Sequence, residues 1–352
     1  MTLARFRQLW THRYHKYTHI FKAHGLGYLA AFRFYLTKSK LKKEEELIAI
    51  IRTEHFGDIV AAEPISRYVR ELYPNAYIVW FVKPVFSELV SSNPMINEVF
   101  KEFCVTQRST IMGTGVFDKV FELQFKNNNV CTRCDVATDN PVAEQRGINV
   151  HNYFNFGNLL EVFSKTSGLI PITANFPAND QPRLYLQSSH EEKANRLQLE
   201  KPYIVVHCQS NFAPKDWPAE RWQQLIHWIA AEYNYHIVEI GLKSNLKVET
   251  KLYRNLCGQL TILETAEVIK RADYFIGLDS GPSHLGNATG TFGIILMGAL
   301  GNFSSYNPYS GGYGSQTNAS LVRKEGLACA DLSFEFVRDE VQKILGEHGI
   351  ER

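Results

Sequence analysis

The chain has 352 residues, with 38 Lys+Arg against 36 Asp+Glu and a formal net charge of +2. Its 45% hydrophobic and 21% charged fractions exclude wholesale disorder, its length favours two domains, and no apolar run reaches the ~18–20 residues of a membrane span. Six cysteines are too few for a disulfide scaffold and fit a reducing cytosol, and an N-terminus that interleaves apolar residues with charge does not read as a secretory signal.

The near-balance of charge hides a split. Residues 1–43 carry ten Lys/Arg and no acid, which leaves 28 bases and all 36 acids for the rest. An acidic body argues against broad nucleic-acid binding. In the basic arm, Leu3, Phe6, Trp10, Tyr14, Tyr17 and Phe21 recur at steps of three or four, one face of an α-helix. Gly25 and Gly27 are expected to break it, with a second short helix over residues 26–36. The aromatic face has two readings: it packs on the protein's own body, or it lies on an anionic membrane surface with Lys and Arg around it.

Two alternations of strands and helices follow, over 44–190 and 200–352. In the first, the continuous apolar run at 47–51 suits a parallel strand buried on both faces. A helix is expected over residues 58–72, a strand at 77–82, a helical stretch near 86–90 and a strand at 119–123. In the second, strands are expected at 203–207, 236–241, 274–278 and 292–297. Helices are expected over 218–233, 263–272 and 282–289, and the two halves join near 188–201. This is α/β texture with two Rossmann-like domains facing a cleft.

Three loops hold the residues that can do chemistry. Asp279, Ser280, Gly281 and His284 follow a strand and open a helix, an edge at which parallel sheets bind ligands. Free N–H groups at a helix start, approached closely over Gly281, suit a phosphate. A helix cap alone accounts for one polar residue there, not for four. Ser210, Asn211 and Lys215 occupy the equivalent edge after another strand, where a cation and short donors can meet phosphate oxygens. His55, Gly57 and Asp58 lie between the first strand and first helix. Asp58 reads either as an N-cap or as a general base, and His55 either as its orienting partner or as an ordinary loop residue.

Other signals are weaker. Cys131 and Cys134 form a lone C-x-x-C with no second pair or His pair at ligand spacing, so a structural metal and redox chemistry stay open as minor readings and no metal site is assigned. Cys104, Cys208, Cys257 and Cys329 read as buried or incidental thiols. The run Gly311-Gly312-Tyr313-Gly314 reads as a flexible loop. P-loop, nucleophile-elbow and zincin motifs are missing from the sequence.

Over residues 47–308 the sequence resembles glycosyltransferase family 9, the ADP-heptose:lipopolysaccharide heptosyltransferases. The resemblance rests on Phe56-Gly57-Asp58 with Leu72-Tyr73-Pro74, on Lys215-x-Trp217-Pro218-x-Glu220-x-Trp222, and on Asp279-Ser280-Gly281-Pro282-Ser283-His284-Leu285. It implies a GT-B fold, with the acceptor on the N-terminal domain and the nucleotide sugar on the C-terminal one. It implies an inverting transfer with no metal and no cofactor beyond the nucleotide-sugar co-substrate. Asp58 takes the position of the base and Lys215 that of the phosphate-contacting lysine. Ser210, Asn211, Ser280, Gly281 and His284 fall near the diphosphate, Asp279 at the sugar hydroxyls, and Leu260 at the adenine. The implied partners are a nucleotide sugar and a glycan or glycolipid acceptor, in the cytoplasm or at the inner face of its membrane. Two departures leave a different nucleotide sugar or acceptor open. Leu242-Lys243-Ser244-Asn245 after Gly241 lacks the acid that holds a ribose, and Thr53-Glu54-His55 replaces a small hydroxyl-rich loop. A binding protein that has lost catalysis is the further alternative.

Overall fold

The computed structural model describes residues 3–125 and 130–349. From the N-terminus the elements are helix α1 (Leu3–Lys38), strand β1 (Leu47–Ile51), α2 (Phe56–Ala61), α3 (Glu63–Leu72), β2 (Tyr77–Val82), α4 (Glu88–Ser91) and β3 (Glu98–Lys101). Next come α5 (Val105–Gly113), β4 (Lys119–Glu122), β5 (Val130–Cys131), β6 (Val136–Ala137), α6 (Pro141–Gln145), α7 (Leu159–Thr166) and α8 (Ser188–Leu197). The second alternation runs β7 (Tyr203–His207), α9 (Ala219–Tyr233), β8 (His236–Glu239), β9 (Tyr253–Asn255), α10 (Ile262–Lys270) and β10 (Tyr274–Leu278). It ends with α11 (Gly281–Thr289), β11 (Gly293–Leu296), α12 (Gly311–Gly314), β12 (Ala319–Val322) and α13 (Phe334–Gly349).

The chain divides into two compact units. One comprises 1–54, 65–156 and 161–178; the other comprises 55–64, 157–160 and 179–352. The first is built on a parallel sheet of order β3-β2-β1-β4. All five residues of β1 are buried, as a continuous apolar run requires of a central parallel strand. The second unit carries a six-stranded parallel sheet of order β12-β11-β10-β7-β8-β9. Read from β9, this is the doubly wound order that reverses between its first and fourth strands, here β7 and β10.

The basic arm is one unbroken helix. Gly25 and Gly27 do not end it, contrary to the expectation from sequence. Gly25 sits on the exposed side, where interior glycine costs about 1 kcal/mol without stopping a helix whose other contacts hold it. Gly27 is a contact point: a Cβ there would lie 2.7 Å from Cβ of Thr110 on α5. The buried side of α1 carries Ala23, Ala30, Ala31 and Phe34, and the Phe34 ring meets Phe100 and Phe117 at 5.5 and 4.9 Å. The arm therefore packs on its own unit, but through small residues and Phe34. Trp10, Tyr14, Tyr17 and Phe21 of the aromatic face are exposed.

Two further expectations are corrected. The single helix over 58–72 is two, because Pro64 has no N–H and disfavours helical backbone just before it. The Gly-rich run at 311–314 is not a flexible loop. It forms α12, whose Tyr313 is fully buried and donates from its hydroxyl to the Thr291 carbonyl at 2.8 Å.

Candidate active site

The site is assembled at the carboxyl ends of β7 and β10, the switch point of the second sheet. β10 ends at Leu278 and delivers Asp279 and Ser280 to the start of α11. Asp279 is buried and satisfied by three donors. Lys215 Nζ lies 2.6 Å from its Oδ2, the Tyr306 hydroxyl donates to the same oxygen at 2.5 Å, and the Tyr309 hydroxyl donates to Oδ1 at 3.1 Å. Burial pushes the Asp279 carboxyl up, but Lys215 and the Tyr306 hydroxyl outweigh it and hold the group below the ordinary carboxylate range.

Ser280 is the residue before α11, and its side chain does not cap the helix. Its hydroxyl is hydrogen-bonded to Nδ1 of His207, the last residue of β7, at 3.1 Å. Burial lowers the His207 imidazole to about 4, so it is neutral at pH 7. Gly241 closes the third side of this corner, where a Cβ would stand 3.6 Å from Cδ2 of His207.

Asp58 reaches the same corner from a distant part of the sequence. The segment 55–64 belongs to the second unit, and α2 meets the start of α11 glycine to glycine. A Cβ at Gly57 would come within 2.9 Å of Cδ2 of His284 and 3.0 Å of Cα of Gly281. A Cβ at Gly281 would overlap the Phe56 ring. No larger residue fits at either position without moving a neighbour. His284 is buried against the Tyr309 ring at 4.8 Å. Burial lowers its pKa, while the carboxylates of Asp279 and Asp58 pull it back up. Asp58 itself is half-buried, so its carboxylate remains reachable by a substrate hydroxyl.

The remaining expected residues are placed as follows. Ser210 stitches its own loop, with its hydroxyl and N–H donating to Asp216 at 2.6 and 2.8 Å. Asn211 and His55 are exposed. Leu260 is half-buried, immediately before Thr261, which N-caps α10. In the loop after β8, the Ser244 hydroxyl donates to the buried Glu239 carboxylate at 2.6 Å. Sequence reasoning missed Tyr306, Tyr309 and His207. Nothing periodic marks the two tyrosines. His207 had a positional signal, since it ends a strand on the ligand-binding edge.

The model of glycosyltransferase family 9 (heptosyltransferase) matches residues 159–320. Lipopolysaccharide heptosyltransferase 1 of Campylobacter coli is 22% identical over 73% of this chain and 85% of its own. The structure is similar to ADP-heptose lps heptosyltransferase II of E. coli, with a TM-score of 0.62 and 17% identity over 86% of this chain and 99% of that one. It is also similar to TibC of enterotoxigenic E. coli, an iron-containing dodecameric glycosyltransferase, with a TM-score of 0.53 and 15% identity over 87% of this chain and 80% of that one.

The fold is that of the GT-B class, and the family and curated matches indicate a glycosyltransferase. Within that class the chain is heptosyltransferase-like, with residues 159–320 similar to glycosyltransferase family 9.

Proposed function

We propose that the protein is an inverting glycosyltransferase that moves heptose from ADP-heptose to a hydroxyl of a lipopolysaccharide-core-like glycan, with no metal in the transfer step. The observation that carries this reading is the convergence of Asp58, Lys215, Asp279 and His284 around the N-terminus of α11. A carboxylate base, a cation and a helix N-terminus are the groups that a displacement at an anomeric carbon requires.

The acceptor hydroxyl gives its proton to Asp58 as its oxygen bonds to the anomeric carbon. The bond from that carbon to the diphosphate breaks on the opposite face, so the configuration inverts and the nucleoside diphosphate leaves. Lys215, the Ser280 hydroxyl and the Gly281 N–H stabilise the charge that grows on the leaving oxygen. Tyr306 and Tyr309 keep Asp279 hydrogen-bonded while Lys215 turns toward phosphate, and Asp279 can then accept from sugar hydroxyls. The neutral imidazole of His284 donates or accepts without adding charge. Ser210, Asn211 and Leu260 are assigned to the diphosphate and adenine on the strength of the family resemblance.

A second reading, another nucleotide or acceptor, draws support from the loop after β8. It lacks an acid for the ribose, and Glu239 at the strand end is already committed to Ser244 and Tyr253.

The arm is assigned to an anionic membrane surface at the cytoplasmic side. Its aromatic face is exposed, and the exposed Arg13 lies among those rings. Among the described residues no helix is long and apolar enough to cross a membrane, so contact would be from the surface.

Transfer assays with ADP-, UDP- and GDP-sugars test the reading beside Asp58→Ala. Turnover with ADP-heptose that collapses in the variant is the expected result. Unchanged turnover rejects Asp58 as base, and preference for UDP-sugars favours the second reading.

A further inference from the structure

The first unit holds a cluster that the transfer reaction does not use. The sequence showed Cys131 and Cys134 as an isolated pair. The fold brings two more ligand types to them, Cys104 from the residue before α5 and His19 from α1. One ligand atom from each of the four residues lies within 4.8 Å of all the others, and His19 Nε2 stands 3.9 Å from Cys131 Sγ.

We propose that His19, Cys104, Cys131 and Cys134 form a tetrahedral Cys3His site for a thiophilic transition metal ion, zinc in the first instance, which fastens the arm helix to its unit. Four ligands at about 2.3 Å for sulfur and 2.0 Å for nitrogen stand ~3.3–3.8 Å apart, so the observed set has only to contract by ~1 Å. Three sulfurs and an imidazole select zinc or iron over magnesium or calcium. Four protein ligands leave no open position, so the site is structural.

Three features of the surroundings support a bound cation. The hairpin β5–β6 has two residues per strand, too little to hold itself, and the turn between them folds back with an Asp135 N–H donating to the Cys131 carbonyl at 2.8 Å. The buried hydroxyl of Thr106 faces Cys134 and has no other hydrogen-bond partner, so a metal-bound thiolate would supply its acceptor. Three thiolates and a divalent ion sum to one negative charge. Arg133 and Lys22 stand near enough to His19 to act on its imidazole, and the Lys22 ammonium also lies over the Phe103 ring on which His19 stacks. Ile20, Ala23 and Val136 cover the cluster with apolar surface.

The test is the metal content of the full-length protein, purified without chelator and measured by elemental mass spectrometry. About one zinc or iron per chain is expected, zinc colourless and ferric thiolate red. Cys104→Ser and Cys134→Ser should lose most of it, while Cys257→Ser keeps it. Because the variants can misfold, the intact protein is also exchanged with cobalt(II). Tetrahedral ligand-field bands with thiolate charge transfer support the site. Metal below a tenth of an equivalent after reconstitution overturns it, as does metal retained by Cys134→Ser. A Cys131–Cys134 disulfide in the native protein overturns it too.

Discussion

The Lys215 ammonium and the Asp279 carboxylate form a 2.6 Å ion pair that links the loop after β7 to the loop after β10. The pair sits on the switch-point edge, with Asp279 buried and Lys215 partly open to solvent. Removing the lysine leaves a buried carboxylate with hydroxyl donors alone. Lys215→Ala should therefore lower unfolding free energy by about 2–3 kcal/mol, less than for a fully dry pair. It should also cut kcat/KM by on the order of 10²-fold through lost stabilisation of the leaving group. Denaturant titration and transfer kinetics measure the two separately. Asp279 has a lowered folded pKa, so the pair's contribution is present above the unfolded value and lost as pH falls through the folded one.

Gly57 and Asp58 separate placement from chemistry. Asp58→Asn should reduce kcat by roughly 10²–10⁴-fold with nucleotide-sugar affinity retained. Gly57→Ala keeps the base but pushes α2 away from Gly281 and His284. A fall in kcat of about 10–100-fold is expected from that displacement. Equal activity in Gly57→Ala would show that the glycine contact does not position Asp58.

His207 predicts an acid-side loss of stability. Its folded pKa is about 4, against an unfolded value of 6.5. The unfolded chain therefore binds a proton first as pH drops. The contribution is full above 6.5 and is lost as pH falls from 6.5 towards 4. At pH 5 the loss amounts to about 2 kcal/mol. Urea midpoints from pH 8 to pH 5 should fall less steeply in His207→Gln than in the parent.

Gly27→Ala tests the seat of the arm. The new methyl meets Thr110 Cβ, which cannot rotate away, so a destabilisation of about 1–3 kcal/mol is expected. The outer face is probed by replacing Tyr17 and Phe21 with Ser. Both side chains are exposed, so thermal stability should hold within about 0.5 kcal/mol. Binding to anionic vesicles should weaken, and in the parent it should decline with salt. Binding equal to the parent's would return the aromatic face to a role without lipid.

The strands were legible because burial on both faces leaves a continuous apolar run. Residues 47–51, 77–82, 203–207 and 274–278 were bounded from sequence as the structure bounds them. The edge strands β3, β9 and β12 were not legible, since short, partly exposed segments carry little periodic signal. Helix α8 lay where only a junction was expected, because its ten residues are mostly polar. The placement of Asp58, Lys215 and the Asp279–His284 loop at strand ends and helix starts was readable, because each follows a strand or opens a helix. Tyr306 and Tyr309 were not, since they act by reaching back to Asp279 from a loop with no pattern of its own.

By itself the sequence determined the two α/β alternations, the long basic arm and the loops that carry the polar chemistry. Those properties are local: they depend on which residues recur at 2 or 3.6 spacing and on what ends each run. The tertiary structure alone decided partners. Periodicity records that Gly27 interrupts a pattern, but not that Thr110 lies against it. It records Asp58 at a helix start, but not that this helix meets α11 across more than two hundred residues. It shows two cysteines three apart, while His19 and Cys104 join them only once α1 has docked on α5 and the β5–β6 hairpin has folded back. Contacts between distant segments come from packing of whole surfaces, and no window along the chain contains both sides.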